Sequence, residues 1–103
     1  MTTLCVRFFV LEGMRHEGGP IHEWLFQVAR EIGIPGGTAF RASAGFGRHG
    51  LHEDTFFELA GQLPETVEFS ADEGLICALL ARVGQAGLKL VYVMHPVTSG
   101  VTG

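Results

Sequence analysis

The chain has 103 residues, of which 47% are apolar and 17% are charged, and its formal net charge is −4 at pH 7. This composition is typical of one compact globular domain, predicted here over residues 1–103, and it excludes a disordered chain. The acidic balance, without any run of lysine or arginine, argues against nucleic acid as a partner and makes any anion site a local feature.

The first half of the chain predicts a strand, an amphipathic helix and a second strand. Residues 4–11 form a strand that is apolar on both faces. Apolar residues then recur at helical spacing after Pro20, which suits the first turn of a helix, and Gly33 suits its C-terminal stop. Alternating apolar and polar side chains over residues 38–44 predict a strand that runs into Gly45.

The second half of the chain repeats this order. Residues 66–69 predict a strand, a second apolar stripe at helical spacing predicts a helix, and residues 88–94 alternate as a strand. Ser70 and Glu73 have the spacing of a capping box at the start of this helix, and Asp72 is the alternative cap.

The order β-α-β-β-α-β in a short chain indicates an α+β fold, the ferredoxin-like sandwich, in which an antiparallel sheet carries both helices on one face. Residues 45–64 then form a long loop between the two middle strands. Because ordinary hairpin loops have only about 2–5 residues, a loop of this length is expected to be functional or disordered, and it is the first place where we expect function.

Apolar side chains are also predicted on the sheet face that the helices leave open. They are Phe9 and Leu11 of the first strand and Val91 and Val93 of the last. An exposed apolar sheet is unusual in a soluble monomer, so we predict a homo-oligomer that buries this face. The alternative cover is the C-terminal tail, residues 97–103.

The two cysteines, Cys5 and Cys77, stand isolated in apolar sequence and are predicted to be free, buried thiols. No apolar run approaches the ~20 residues of a membrane span, and the N-terminus lacks the pattern of a signal peptide. We therefore expect a cytoplasmic protein.

Several motifs stand in an order that is typical of one family. They are, in chain order, Gly19-Pro20 before the first helix, Gly36-Gly37-Thr38 at the second strand, Arg41, Gly45-Phe46-Gly47, His52, and Leu63-Pro64 ahead of an acidic-apolar strand. Over residues 4–95 this combination resembles the PII-like proteins of domain-of-unknown-function family 190 (DUF190).

The resemblance implies a homotrimer of the PII type, with its sheets lining the centre and its ligand sites in clefts between subunits. It implies a signalling role and not an enzyme, so no catalytic residue is assigned. The implied effector is an adenine nucleotide, AMP, ADP or ATP, with no cofactor required. The long loop would engage a partner, either a membrane transporter or an enzyme.

Two sets of residues are candidates for ligand binding. Gly84, Gly87 and Lys89 offer backbone N–H groups at a turn and a nearby cation, as a phosphate site needs, and resemble loosely the phosphate-binding turn of PII proteins. A plain helix end with an exposed lysine is the alternative. The second set surrounds the start of the long loop, where an aromatic ring between two glycines would close over an adenine, dock a partner or pack on a neighbouring subunit. Its members are Arg41, Gly45, Phe46, Gly47, Arg48 and His52.

Two other classes of function stay open. A divalent-metal-binding trimer of the CutA type shares this fold, and His49 and His52, with His16 and His22, are the histidines that it would draw on. Solvated histidines are the alternative interpretation. A small ferredoxin-like monooxygenase or isomerase would use Arg41 and a histidine in an apolar pocket, but the sequence presents no paired general acid and base.

Overall fold

The computed structural model describes residues 2–45 and 63–103 as a four-stranded antiparallel sheet on which two helices pack. In chain order the elements are β1 (Thr3–Leu11), β2 (Arg15–His16), β3 (Gly19–Pro20), α1 (Ile21–Ile32), β4 (Gly37–Arg41), β5 (Pro64–Asp72), α2 (Glu73–Gln85) and β6 (Val91–Pro96). The strand order is β4-β5-β1-β6, and β2 pairs with β3 in a short hairpin before α1. This order confirms the predicted ferredoxin-like α+β fold.

The core lies between the helices and one face of the sheet. Phe8 of β1 and Phe69 of β5 meet edge to face there, with ring centroids 6.3 Å apart. Phe26 of α1 packs on Phe69 in the same manner at 6.0 Å. Each large apolar side chain buried in this way contributes roughly 1.5–3 kcal/mol. The most deeply buried members are Val6, Phe8, Ile21, Leu25, Val67, Phe69, Ile76 and Leu79.

The opposite face of the sheet carries the apolar residues that were predicted there. In the β1–β6 ladder Phe9 stands opposite Val91, which puts Val91 and Val93 on the face away from the helices. Phe40 of β4 lies on this face as well and is half exposed. Residues 98–103 of the tail are exposed. A tail that covered an apolar sheet would instead be partly buried against it.

The start of α2 differs from the predicted capping box. Ser70 is a ladder residue of β5 opposite Cys5, because β5 stays paired with β1 as far as Asp72. The N–H of Glu73, the first residue of α2, donates to the carbonyl of Thr2 at 2.9 Å. Asp72 holds the N-cap position, and its side chain makes no capping hydrogen bond to the described helix. A backbone carbonyl beside β1 therefore takes the place expected of a side-chain cap.

Two strand boundaries also differ from the predicted ones. β4 ends at Arg41 and not at residue 44, because its partner β5 begins only at Pro64. β6 begins at Val91 and not at residue 88. By contrast, α1 ends as predicted at Gly33, whose φ of 105° is the left-handed conformation that glycine adopts without strain.

Both cysteines are free, as predicted, and Cys5 is buried. Cys77 is exposed, so the prediction that it is buried was wrong. The buried stripe of α2 consists of Ile76, Leu79 and Val83. Because successive residues of a helix are about 100° apart, position 77 faces away from that stripe.

We expect Gly37→Ala to destabilise the protein by about 1–3 kcal/mol, the usual cost of overpacking a core. A Cβ at Gly37 would overlap the Phe69 ring, which Phe8 and Phe26 hold in place. Gly36→Ala is the matched control, because no described atom lies within 4 Å of a Cβ built there. Urea unfolding measures both variants, and equal loss of stability in the two would contradict the prediction.

Candidate functional site

Three residues at one end of the sheet connect the two ends of the segment between β4 and β5; we call Glu12, Arg41 and Leu63 the loop-base cluster. Glu12 follows β1, and its Oε2 lies 3.0 Å from Nε of Arg41, the last residue of β4. The N–H of Leu63 donates to Oε1 of Glu12 at 3.4 Å. The N–H of Glu12 donates to the carbonyl of Leu63 at 3.1 Å. One glutamate thus contacts residues on both sides of the long segment.

The predicted ligand residue Arg41 is accessible but already has a partner. Its side chain is 66% exposed, whereas that of Glu12 is 27% exposed. An ion pair in such an exposed position contributes only about 0–1 kcal/mol, so a ligand can replace it at little cost. The planar guanidinium presents donors in the geometry that phosphate and carboxylate oxygens accept. Arg41 therefore presents donors of the kind that an anion accepts, and its role in ligand binding stays a prediction.

A buried carboxyl group lies beside the loop-base cluster. Glu65 of β5 is 6% exposed and stands opposite Arg41 in the β4–β5 ladder. Its Oε1 lies 3.2 Å from Nδ1 of His22, in the first turn of α1, whose N-terminus carries partial positive charge. Sequence reasoning did not single out Glu65. The sequence does contain a signal for its burial, because Glu65 alternates in register with the buried residues Val67 and Phe69 although it is polar.

The second predicted set, at the end of α2, lies just ahead of β6, the edge strand opposite to β4. Gly84 belongs to the last turn of α2, and Gly87 follows it with a φ of 78°. The N–H of Gly87 donates to the carbonyl of Gly84 at 3.0 Å, so in this conformation the turn uses that donor itself. Lys89 is exposed just ahead of β6. Its role in phosphate binding stays a prediction.

A single subunit does not bring the two predicted sets together. Arg41 ends the edge strand β4, and Lys89 precedes the opposite edge strand β6, with β5 and β1 between them. At about 4.8 Å between neighbouring strands, the two edges are about 14 Å apart. A ligand that touches both residues would therefore have to reach across an entire sheet or lie between two subunits.

Four of the predicted residues, Phe46, Gly47, Arg48 and His52, lie outside the described residues, as does His49. Gly45 is described, at the end of the first range. A Cβ built on it would lie 3.2 Å from Cγ of Pro64, so the two ends of the segment pass close to each other here.

The described histidines have other contacts. The ring of His16 meets that of Trp24 edge to face at 4.7 Å, and His22 contacts Glu65. Within residues 2–45 and 63–103, no group of three or more His, Cys, Asp or Glu side chains is arranged to hold a metal ion. None of the described helices has the length and apolar character needed to cross a membrane.

A groove of about 310 Å³ lies between α1 and the end of α2, and of the predicted ligand residues that the structure describes, none lines it. Arg82 donates to Glu31 across this groove at 3.0 Å. This hydrogen bond, with a second from Gln27, lowers the pKa of Glu31 below its ordinary value. The pair thus links the two helices at the surface and is distinct from the loop-base cluster.

The amino-acid sequence is similar to a protein family and to a bacterial relative. The family model DUF190, described as an uncharacterized ACR, matches residues 3–99. A UPF0166 protein of Aquifex aeolicus (strain VF5) is 34% identical over 79 residues, which cover 76% of this chain and 75% of that protein.

Among solved structures, the fold is similar to CPII from Thiomonas intermedia K12. The structure of CPII bound to ADP, AMP and acetate gives a TM-score of 0.63 at 20% identity and covers 96% of this chain and 90% of CPII. The structure with ADP and bicarbonate gives 0.65 at 19% identity and covers 98% and 91%. A putative PII-like signaling protein from Thermus thermophilus gives 0.56 at 14% identity and covers 92% and 87%. The fold is therefore PII-like.

We expect His22→Ala to lower the free energy of unfolding by about 1–3 kcal/mol, because it removes a hydrogen-bond partner from the buried Glu65. The same substitution in a Glu65→Met background, which has no oxygen to accept from His22, should cost less, and this separates the contact from the packing of His22 on Phe26. His95→Ala, at an exposed position, is the control. Urea unfolding measures each variant, and an equal cost in both backgrounds would argue against the contact.

Proposed function

The chain belongs to domain-of-unknown-function family 190, and we propose that it is a homotrimeric PII-like regulatory protein that binds an adenine nucleotide in clefts between its subunits. The resemblance to PII-like proteins drawn from the sequence is confirmed by the family match and by the fold. The observation that carries the proposal is the likeness over 96% of the chain to CPII, a protein whose structure holds ADP and AMP.

The position of the predicted cations supports a site between subunits. Arg41 and Lys89 lie near opposite edges of the sheet, at β4 and β6. A closed ring of subunits uses a heterologous interface, in which one edge of a subunit meets a different edge of the next. In such a ring Arg41 of one subunit would lie near Lys89 of the next subunit. The phosphate groups of a nucleotide would then bind between these two side chains.

The open sheet face supports self-association. Phe9, Val91 and Val93 form an apolar surface there, and Phe40 adds a half-exposed ring. Arg7 and Glu68 pair on this same face with 2.6 Å between Nε and Oε2, so the charges within it are matched inside the subunit. Burial of such an apolar face away from water is favourable, and three sheets packed around a common axis would bury it.

The proposed output is control of a partner, and not a reaction. The segment between β4 and β5 is the element that would engage that partner, a membrane transporter or an enzyme. Ligand binding at Arg41, the last residue of β4, would take place directly beside this segment, so the effector site adjoins the output element.

We expect ADP, AMP or ATP to bind and to bind more weakly when either predicted cation is removed. Loss of one charge-assisted hydrogen bond, about 1.5–3 kcal/mol, predicts at least a tenfold weaker affinity for Arg41→Ala and for Lys89→Ala. Arg30→Ala removes an equal charge from an exposed position on α1 and serves as the control. Calorimetry with each nucleotide, and in parallel with divalent metal ions, measures the affinities. Absence of nucleotide binding at millimolar concentration would refute the proposal, and metal binding in its place would favour the CutA-type alternative.

We expect light scattering to return three times the chain mass in solution. Val91→Asp places a charge on the open face and should shift the protein towards monomer, because an unpaired charge is costly to bury between sheets. Val101→Asp makes the same chemical change at a position that is 99% exposed and should leave the mass unaltered. A wild-type protein of monomer mass at micromolar concentration would contradict the trimer.

A further inference from the structure

The carboxyl group of Glu12 lies where an anionic ligand of Arg41 would lie. Its Oε2 is 3.0 Å from Nε of Arg41, and its Oε1 accepts the N–H of Leu63 at 3.4 Å. A guanidinium that pairs with a carboxylate presents the same donors to a phosphate oxygen. The protein therefore holds an anion of its own at this point.

We infer that Glu12 is an intrinsic competitor for the phosphate of the ligand: the nucleotide displaces the Glu12 carboxylate from Arg41. This inference rests on the proposed function and adds a regulatory residue to it. The exchange replaces one anion on the guanidinium by another, so the charge of Arg41 is paired in both states. Glu12 acts through Arg41, and it is a positioning residue.

The exchange has a structural consequence at Leu63. In this structure the Glu12 carboxylate spans Arg41 at the end of β4 and Leu63 ahead of β5. On this inference the displaced side chain swings away as a unit, so that Oε1 leaves the N–H of Leu63 when Oε2 leaves Arg41, and that N–H then faces water. Two backbone hydrogen bonds remain, from Glu12 to the Leu63 carbonyl at 3.1 Å and from Ala42 to the Pro64 carbonyl at 2.9 Å. Ligand occupancy would thus change one hydrogen bond at the start of β5 without breaking the ladder.

Glu12→Gln tests this inference, because glutamine keeps an oxygen that accepts the Leu63 N–H but carries no charge to compete for Arg41. The pair is exposed, so its removal should tighten ADP binding by about two- to fivefold. In an Arg41→Ala background the same substitution should leave the affinity unchanged. Glu23→Gln, at an exposed position of α1, removes an equal charge and controls for the overall charge of the protein.

Hydrogen exchange provides a readout that a merely structural role of Glu12 would not move. In wild type, ADP should speed exchange at the Leu63 amide and leave the Ala42 amide as the internal reference. If ADP binds wild type but Glu12→Gln binds it no more tightly, the inference is overturned and the proposed function stands. The inference also falls if ADP leaves Leu63 exchange unaltered. If wild type binds no ADP at millimolar concentration, the proposed function fails and this inference fails with it.

Discussion

The pairing of β1 on both of its edges is the constraint on which the rest of the structure depends. β1 is bonded to β5 along its whole length and to β6 from Leu4 to Phe9, so it is the strand with the most extensive pairing in the described sheet. One face, with Val6 and Phe8, is sealed by the helices. Neither α1 nor α2 covers the other face, and its apolar side chains favour burial under a further layer. The proposed trimer would supply that layer.

Antiparallel pairing also decides which polar residues meet. The end of β1, the end of β4 and the start of β5 lie at one end of the sheet because neighbouring strands run in opposite directions. Glu12 therefore reaches Leu63, although the two are 51 positions apart in sequence. The loop-base cluster results from this topology. Its contacts join the two ends of the segment between β4 and β5, which is the segment proposed to bind a partner.

In the proposed function, each part of the fold has a separate role. The two sheet edges carry the predicted cations, the open face carries the apolar contacts between subunits, and the helices seal the core. Because Arg41 and Lys89 are separated by two strands, a ligand that needs both requires assembly first. Binding and oligomerisation would then be linked thermodynamically, since a ligand that binds only the assembled state stabilises it.

The sequence by itself determined the order of the elements, the helix after Pro20 with its end at Gly33, and which faces of β1 and β6 are apolar. These features have a periodic or local signal, because side-chain direction repeats every 2 residues in a strand and about every 3.6 in a helix. Only the tertiary structure decided that Ser70 continues a ladder and that His22 is the residue that contacts Glu65. It also decided that Glu12 holds Arg41. Such contacts arise where remote segments meet in space, and no spacing along the chain encodes them.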